Sequence, residues 1–104
     1  MNVSKERRLA SRDTSDLAEQ LERAEAILAY EGGAVLRIAA VRSLLSLVSG
    51  ASMPDRRMRP RWMAIARLLA RVDDVSVTKE EVRDLRRRIG ELLIAVRNHR
   101  PWLQ

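Results

Sequence analysis

The chain has 104 residues, a length that allows one domain, and its lack of Cys excludes disulfides and thiolate chemistry. Only 3% of the residues are aromatic and none is Phe, so the core has to be built from aliphatic side chains. The net charge is +6, and 18 of the 20 basic residues are Arg.

The charge is divided unevenly along the chain. Residues 32–104 carry 15 Lys and Arg against 7 Asp and Glu, whereas residues 1–31 carry 5 against 7. Arg keeps its charge at physiological pH and offers a planar fork of donors that fits phosphate. The excess therefore favours a nucleic-acid partner for the second part of the chain.

Residues 1–12 are polar and basic without hydrophobic periodicity, and we interpret them as a flexible basic tail before a single helical domain, residues 13–104. A first helix is predicted from Ser15 to Tyr30, with N-cap candidates in residues 13–15. Gly32-Gly33 should end it through the left-handed conformation of a C-terminal cap. Its buried stripe is Leu17, Leu21, Ala24 and Leu28, and its acidic flank is Asp16, Glu19, Glu22 and Glu25.

A second helix is predicted from Ala34 to Ser49, ending at Gly50. Apolar residues fall nearly all round it, a pattern typical of a helix buried between neighbours. Ala39, Ser43 and Ser46 form a strip of small residues that would let another helix approach closely.

A loop over residues 51–60 leads to a third helix, Arg61 to Val72, which Pro60 starts. After a break at Asp73-Asp74, Thr78-x-x-Glu81 is a capping box that begins a fourth helix over residues 79–99. The predicted buried positions of these two helices are Trp62, Ile65, Leu69, Val72, Val82, Leu85, Ile89, Leu92 and Val96.

These elements predict an all-α fold, either a small four-helix bundle or a pair of antiparallel helical hairpins. Helix 2 is apolar all round, and helix 4 carries Leu93 and Ile94 outside its stripe. So small a chain has few partners for both, and we expect a homodimer with an interface on helices 2 and 4.

The sequence offers little to a catalyst. It has one His, His99, and no second His at metal-ligand spacing, no Gly-rich phosphate loop and no nucleophile elbow. We therefore expect no enzyme activity, no cofactor and no metal. The longest apolar run is too short and too charged to span a bilayer. The lack of Cys fits a reducing compartment, so we expect a cytoplasmic protein without a membrane partner.

Arginines are the remaining candidates for a site. We expect nucleic-acid contacts from Arg37, Arg42, Arg56, Arg57, Arg59, Arg61, Arg67, Arg71, Arg83 and Arg87. The competing interpretation is a solvated face with ion pairs, such as Asp84 with Arg88, or an acidic helix 1 laid against basic neighbours. Rows of exposed rings, which single-strand binders use, are missing from the sequence, so a duplex is favoured.

The second half of the chain also resembles a known family. Ser43-Leu44-Leu45, then Arg59-Pro60-Arg61, then Thr78-x-Glu80-Glu81-Val82-x-x-Leu85 is similar to the RNA-silencing suppressors of insect nodaviruses. The resemblance covers roughly residues 43–93, and it implies an antiparallel dimer that lies along one face of double-stranded RNA. By analogy with the family's RNA face on its first two helices, Arg37 and Arg42 become candidates.

Two departures separate the chain from that family. A basic loop lies between Leu45 and Arg59 where the family runs on directly, and helix 1 is shorter. From the arginine excess, the lack of stacking rings and the family resemblance, we expect sequence-independent binding of double-stranded RNA through phosphates. The alternative is a protein–protein interaction or regulatory module without a nucleic-acid role, whose binding would be lost on changing Trp102 or Leu103.

Overall fold

Four α-helices and two short 3-10 helices form the part of the chain that the computed structural model describes, residues 2–30, 32–72 and 76–99, with the side chains of the first helix described from Asp16 onward. The α-helices are α1 (Asn2–Ala29), α2 (Ala34–Leu44), α3 (Arg59–Arg71) and α4 (Lys79–Arg97). The 3-10 helices are Gly50–Ser52 and Arg56–Met58. No strand occurs within these ranges, so the predicted all-α bundle is confirmed.

Helices α1 and α4 pack antiparallel and form the largest contact in the molecule. The direction follows from two points of contact: Glu22 pairs with Arg97, and Glu25 lies beside Gly90, one to two turns earlier in α4. Helix α2 packs on α1, and α3 packs on α4. One continuous core results, and it contains every apolar position predicted from the sequence: Leu17, Leu21, Ala24, Leu28, Trp62, Ile65, Leu69, Val72, Val82, Leu85, Ile89, Leu92 and Val96.

The start of α1 differs from the prediction. The helix begins at Asn2 and runs through residues 13–15, which were predicted to cap it near Ser15. The physical reason is that residues 2–15 contain neither Gly nor Pro, so nothing in this segment ends a helix that good helix formers sustain. The flexibility predicted for residues 1–12 stays a prediction.

The end of α1 is also reached differently. None of the described glycines has a positive φ, and Gly33 has φ −59° and ψ 117°, so no left-handed glycine cap forms. The last carbonyls of the helix are satisfied by a side chain of α2 instead.

Helix α2 ends at Leu44 rather than at Ser49. The Ser46 Oγ donates to the Ser43 carbonyl at 2.9 Å, and Ser46 N–H donates to the same oxygen. Such side-chain bonds offer the backbone an alternative to the helix, and the chain turns away here. Gly50, predicted as a stop, begins the first 3-10 helix.

The prediction that α2 is buried all round is wrong. Only Ile38 and Val41 of α2 are buried, followed by Leu45 just beyond its end. Leu36 is 76% exposed, and Leu47 in the turn after α2 is 90% exposed. The pattern of apolar residues overstated the number of neighbours that one copy of the chain provides.

The starts of α3 and α4 follow the sequence closely. Pro60 occupies the first turn of α3, and the Thr78–Glu81 capping box forms with both reciprocal bonds, at 3.0 and 3.1 Å. The loop before α3 is more ordered than a connection needs to be, because Met53 and Met58 enter the core from it. The break at Asp73-Asp74 lies outside the described residues.

Candidate nucleic-acid interface

The ten arginines predicted to contact nucleic acid fall into three groups in the structure. Two on α2 bind backbone carbonyls, six on or before α3 stay in solvent, and two on α4 differ from each other. Because these groups face different surroundings, the structure does not bring all ten together into one surface.

Arg37 closes the C-terminal end of α1. Its Nη1 donates to the carbonyl oxygens of Leu28, at 2.7 Å, and Tyr30, at 2.6 Å. Carbonyls at a helix end have no partner within the helix, and a cation is favoured at this negative end of the helix dipole. The Arg37 Nε is buried and has no acceptor among the described residues.

Arg42 does the same for α3 from the other side of α2. Its Nε and Nη2 donate to the Leu69 carbonyl at 3.0 and 2.7 Å, and Nη2 also donates to the Val72 carbonyl. Both α2 arginines are thus held by the ends of neighbouring helices. We therefore leave Arg37 and Arg42 out of the interface, although the sequence placed them in it.

The six arginines on or before α3 are all exposed, and we call them the α3 arginine surface. Within the described residues, their guanidinium groups make no hydrogen bond or ion pair. Asp55 is the only acidic residue between positions 50 and 72, and its Oδ1 accepts a bond from the Arg57 backbone N–H at 2.9 Å. The six are Arg56, Arg57, Arg59, Arg61, Arg67 and Arg71.

Helical spacing aligns part of this surface. The buried residues of α3 occupy one face, and Arg59, Met63, Arg67 and Arg71 follow one another at intervals of four on the outer face. The stem of Arg59 lies near Gly50, whose Cβ position would be 3.9 Å from Arg59 Cγ and Cδ. The stripe is about 18 Å long, which matches roughly five base-pair steps of a duplex.

On α4, arginines are interleaved with carboxylates. Arg87 pairs with Asp84 and, at 3.3 Å, with Glu91, and Arg88 Nε donates to Asp84 Oδ2 at 3.1 Å. These bonds from Arg87 and Arg88 lower the pKa of Asp84 below its ordinary value of 3.8. The bond from Asp84 in turn raises the pKa of Arg87. The predicted Asp84–Arg88 pair is confirmed.

Two further α4 arginines, Arg83 and Arg86, differ from Arg87 in their surroundings. Arg83 and Arg86 are exposed and have no ion-pair partner in the described part of the chain. Arg83 was expected to act with Arg87, one turn away, but Arg87 is neutralised and Arg83 is not. Arg86 was not among the predicted contacts, and unlike Arg88 it has no carboxylate three or four positions away along α4.

The acidic flank of α1 also engages basic residues. Glu22 accepts a bond from Arg97 of α4 at 2.7 Å, and Glu19 pairs with Arg23 in α1 itself at 3.1 Å. The idea of an acidic helix 1 against basic neighbours is thus confirmed at one inter-helix ion pair. Its pairing partners lie on α4 and α1, so the α3 arginine surface keeps its excess charge.

A groove that sequence reasoning missed lies between α1 and α2. It measures about 450 Å³ and is almost wholly apolar. Tyr30 and Leu36, each 76% exposed, stand in its walls. The apolar pattern of α2 predicted burial all round, so nothing in the sequence indicated that Leu36 and Ala40 would line an open groove. The complete lining is Ala26, Ile27, Tyr30, Gly33, Leu36, Arg37 and Ala40.

The described residues hold no group of three or more His, Asp or Glu side chains placed to bind a metal ion. His99, the single histidine, follows α4 and is partly buried. Its backbone N–H donates to the Val96 carbonyl at 3.3 Å. No helix in the described ranges is both long enough and apolar enough to cross a bilayer.

Comparisons with known proteins add no relative. No protein-family model matches the chain, and no curated protein and no solved structure is similar to it.

Proposed function

We propose that this protein is a non-enzymatic nucleic-acid binder that contacts the phosphates of double-stranded RNA through the α3 arginine surface. One observation carries the proposal: six exposed arginines lie within 16 residues, with a single carboxylate among them and no partner in the described chain. Clustered like charges repel one another in the free protein, and a phosphate backbone relieves that repulsion.

No aromatic ring of the described residues is exposed on this surface, which favours a duplex. Trp62, the aromatic residue of α3, is 5% exposed and belongs to the core. Exposed Tyr30 stands in the groove between α1 and α2 rather than on α3. Binding to single strands depends on bases stacking on exposed rings, whereas duplexes are bound through phosphates and shape. The preference for RNA over DNA rests on the family resemblance alone.

The test is a gel-shift panel of duplex RNA, duplex DNA and single strands at ~150 mM salt, repeated over a salt series. We expect the strongest retardation with duplex RNA and a steep loss of affinity with rising salt. Equal weak binding to all ligands would reduce the proposal to general charge attraction. Retardation of none of them would leave the interaction module as the function.

A pair of triple variants separates the α3 arginine surface from net charge. In the first variant Arg59, Arg67 and Arg71 become Ala, and in the matched control Arg23, Arg88 and Arg97, which are paired with carboxylates, become Ala. Both lose three positive charges. We expect the first to lower the salt slope by about 3 and the control by less than about 1. Equal effects would contradict a localised surface.

The alternative function is a protein–protein interaction module. The apolar groove between α1 and α2 favours it, because phosphate binding makes no use of such a surface. Trp102 and Leu103, on which this alternative was expected to depend, lie outside the described residues. A protein partner that co-purifies and dissociates on changing either residue, without any nucleic-acid retardation, would support it.

We also propose that the protein acts as a homodimer, as its sequence predicts. Two α3 arginine surfaces on one particle would engage a single duplex together. Once one surface has bound the duplex, binding of the second is an intramolecular step. The overall affinity therefore rises although each surface makes the same contacts as it would alone.

A further inference from the structure

Helix α2 and the turn after it present an outer face without charge. Every exposed residue between Ala34 and Ser49 is uncharged, in a chain of which 33% is charged. We call the following residues the uncharged face: Leu36, Ala39, Ala40, Ser43, Ser46, Leu47 and Ser49.

The uncharged face exists because of where the two arginines of α2 go. Arg37 leaves α2 towards the end of α1, and Arg42 leaves it towards the end of α3. Their charge is used on helix carbonyls at either side of α2. The surface between them therefore has only apolar and small hydroxyl side chains.

The groove between α1 and α2 continues this surface. Leu36 and Ala40 belong both to the uncharged face and to the lining of the groove, whose far wall is formed by Ala26, Ile27 and Tyr30 of α1. The two surfaces form one continuous exposed patch that is mostly apolar, and such a patch on a small protein indicates a binding partner.

We propose that the uncharged face and the adjoining groove bind a second copy of this chain, with the two α2 helices antiparallel across a two-fold axis. The net charge of +6 makes two copies repel, and a contact on the uncharged face adds no further pair of like charges. Arg37, the charged residue in the lining of the groove, has its guanidinium bound to the Leu28 and Tyr30 carbonyls. This inference rests on the proposed homodimer and does not depend on nucleic-acid binding.

The order of side-chain sizes supports a self-complementary contact. Large residues stand at the two ends of the face, Leu36 and Leu47, and small residues lie between them. An antiparallel copy places Leu36 beside its partner's Leu47, while Ala40 meets its partner's Ser43. Small residues at the crossing let the helix axes approach to about 8 Å.

This surface replaces the interface on helices 2 and 4 that the sequence predicted. Helix α4 is covered by α1 and α3, and Leu93, expected to face a second copy, is 5% exposed and lies in the core. Ile94 is 60% exposed but stands among charged neighbours, with Glu91 and Arg97 also exposed on α4.

The first test compares Ala40→Lys with Ile94→Lys by analytical ultracentrifugation at micromolar concentration. Both positions are exposed, so neither change disturbs the core, which circular dichroism checks. Wild type and Ile94→Lys should sediment as twice the 11.9 kDa chain. In Ala40→Lys, like charges meet across the axis, and self-association should weaken by at least about 100-fold.

The outcomes separate the two proposals. A monomeric wild type would overturn the homodimer, and this inference with it. A dimer that persists in Ala40→Lys would overturn only the inferred surface. Loss of the dimer in Ile94→Lys alone would return the interface to α4. Association of wild type with an unlike protein through the uncharged face, in place of a second copy, would also overturn it.

The second test uses the lack of Cys in the chain to determine whether the two α2 helices run antiparallel. Leu36→Cys and Leu47→Cys are oxidised separately and as a mixture, and disulfide-linked dimers are counted by non-reducing gel. An antiparallel pair links the mixture and leaves Leu36→Cys alone mostly unlinked, because the two copies of position 36 are roughly 16 Å apart. Efficient linking of Leu36→Cys to itself would overturn the antiparallel arrangement.

Discussion

In α2 both arginines point to the carbonyl ends of neighbouring helices, whereas in α3 the arginines stay in solvent with no partner in the described chain. The two α-helices follow each other in the sequence and both combine arginines with aliphatic residues, yet one uses its cations to hold the fold and the other keeps them available. Composition therefore overstates a binding surface by the number of cations that the fold itself needs.

Arg42→Ala should produce the largest difference in stability between a substitution in α2 and one in α3. The change removes a charged donor from the carbonyls of Leu69 and Val72. We expect the free energy of unfolding to fall by about 3 kcal/mol. Urea denaturation measures the loss, and Arg71→Ala is the matched control, with an expected change within about 0.5 kcal/mol. Equal stabilities of the two variants would show that α2 and α3 do not differ in this way.

A smaller effect is expected for Arg37→Ala. Two charged hydrogen bonds at the end of α1 are lost, but the change also removes a buried Nε that has no acceptor among the described residues. The unpaired Nε–H already costs about 1 kcal/mol or more, so the net loss should be only about 1 kcal/mol. Urea denaturation of Arg37→Ala, with Arg67→Ala as the matched control on α3, measures this loss. A loss as large as that in Arg42→Ala would mean that the Nε finds a partner in solution.

On α4, one carboxylate, Asp84, holds two arginines in ion pairs. Asp84→Asn should release Arg88 and leave Arg87 paired with Glu91 alone, so the charge on α4 would become more available, with tighter duplex binding at low salt and a stability loss below about 1 kcal/mol. Because the pKa of Asp84 is lowered in the folded protein, its contribution to stability is complete above the unfolded value of 3.8. It should be lost as the pH falls from there through the folded pKa.

Urea denaturation of Asp84→Asn and wild type from pH 7 to about pH 3 checks the pH dependence. The two curves should converge at the acidic end. A stability difference that stays constant over this range would show that the arginines do not act on the carboxylate of Asp84.

Much of the fold could be predicted from the sequence. Apolar spacing identified the buried faces of α1, α3 and α4, and the Thr78–Glu81 capping box placed the start of α4. These signals are local, because the spacing of side chains on a helix and the bonds of its first turn involve residues a few positions apart. The error at the start of α1 was also local, since good cap residues occur inside a helix when nothing stops it.

The roles of the arginines could not be predicted. Arg42 binds a carbonyl 27 positions away, and Arg37 binds carbonyls seven and nine positions away across a change of direction. Only the tertiary fold, which brings the arginines of α2 to the ends of α1 and α3, creates those contacts. For the same reason the charge-free face of α2 was read as core: periodicity shows that a face is apolar, and it does not show whether the same chain covers it.

Gly90 has a consequence for how this protein tolerates change. A Cβ at this position would lie 3.1 Å from the Glu25 carboxylate, and that group ends a flexible side chain that can swing aside. Ala within a helix is more favourable than Gly by about 1 kcal/mol. One added methyl group at position 90 should therefore raise the free energy of unfolding. Position 90 is thus one at which the sequence can change, in evolution or by design, without loss of stability.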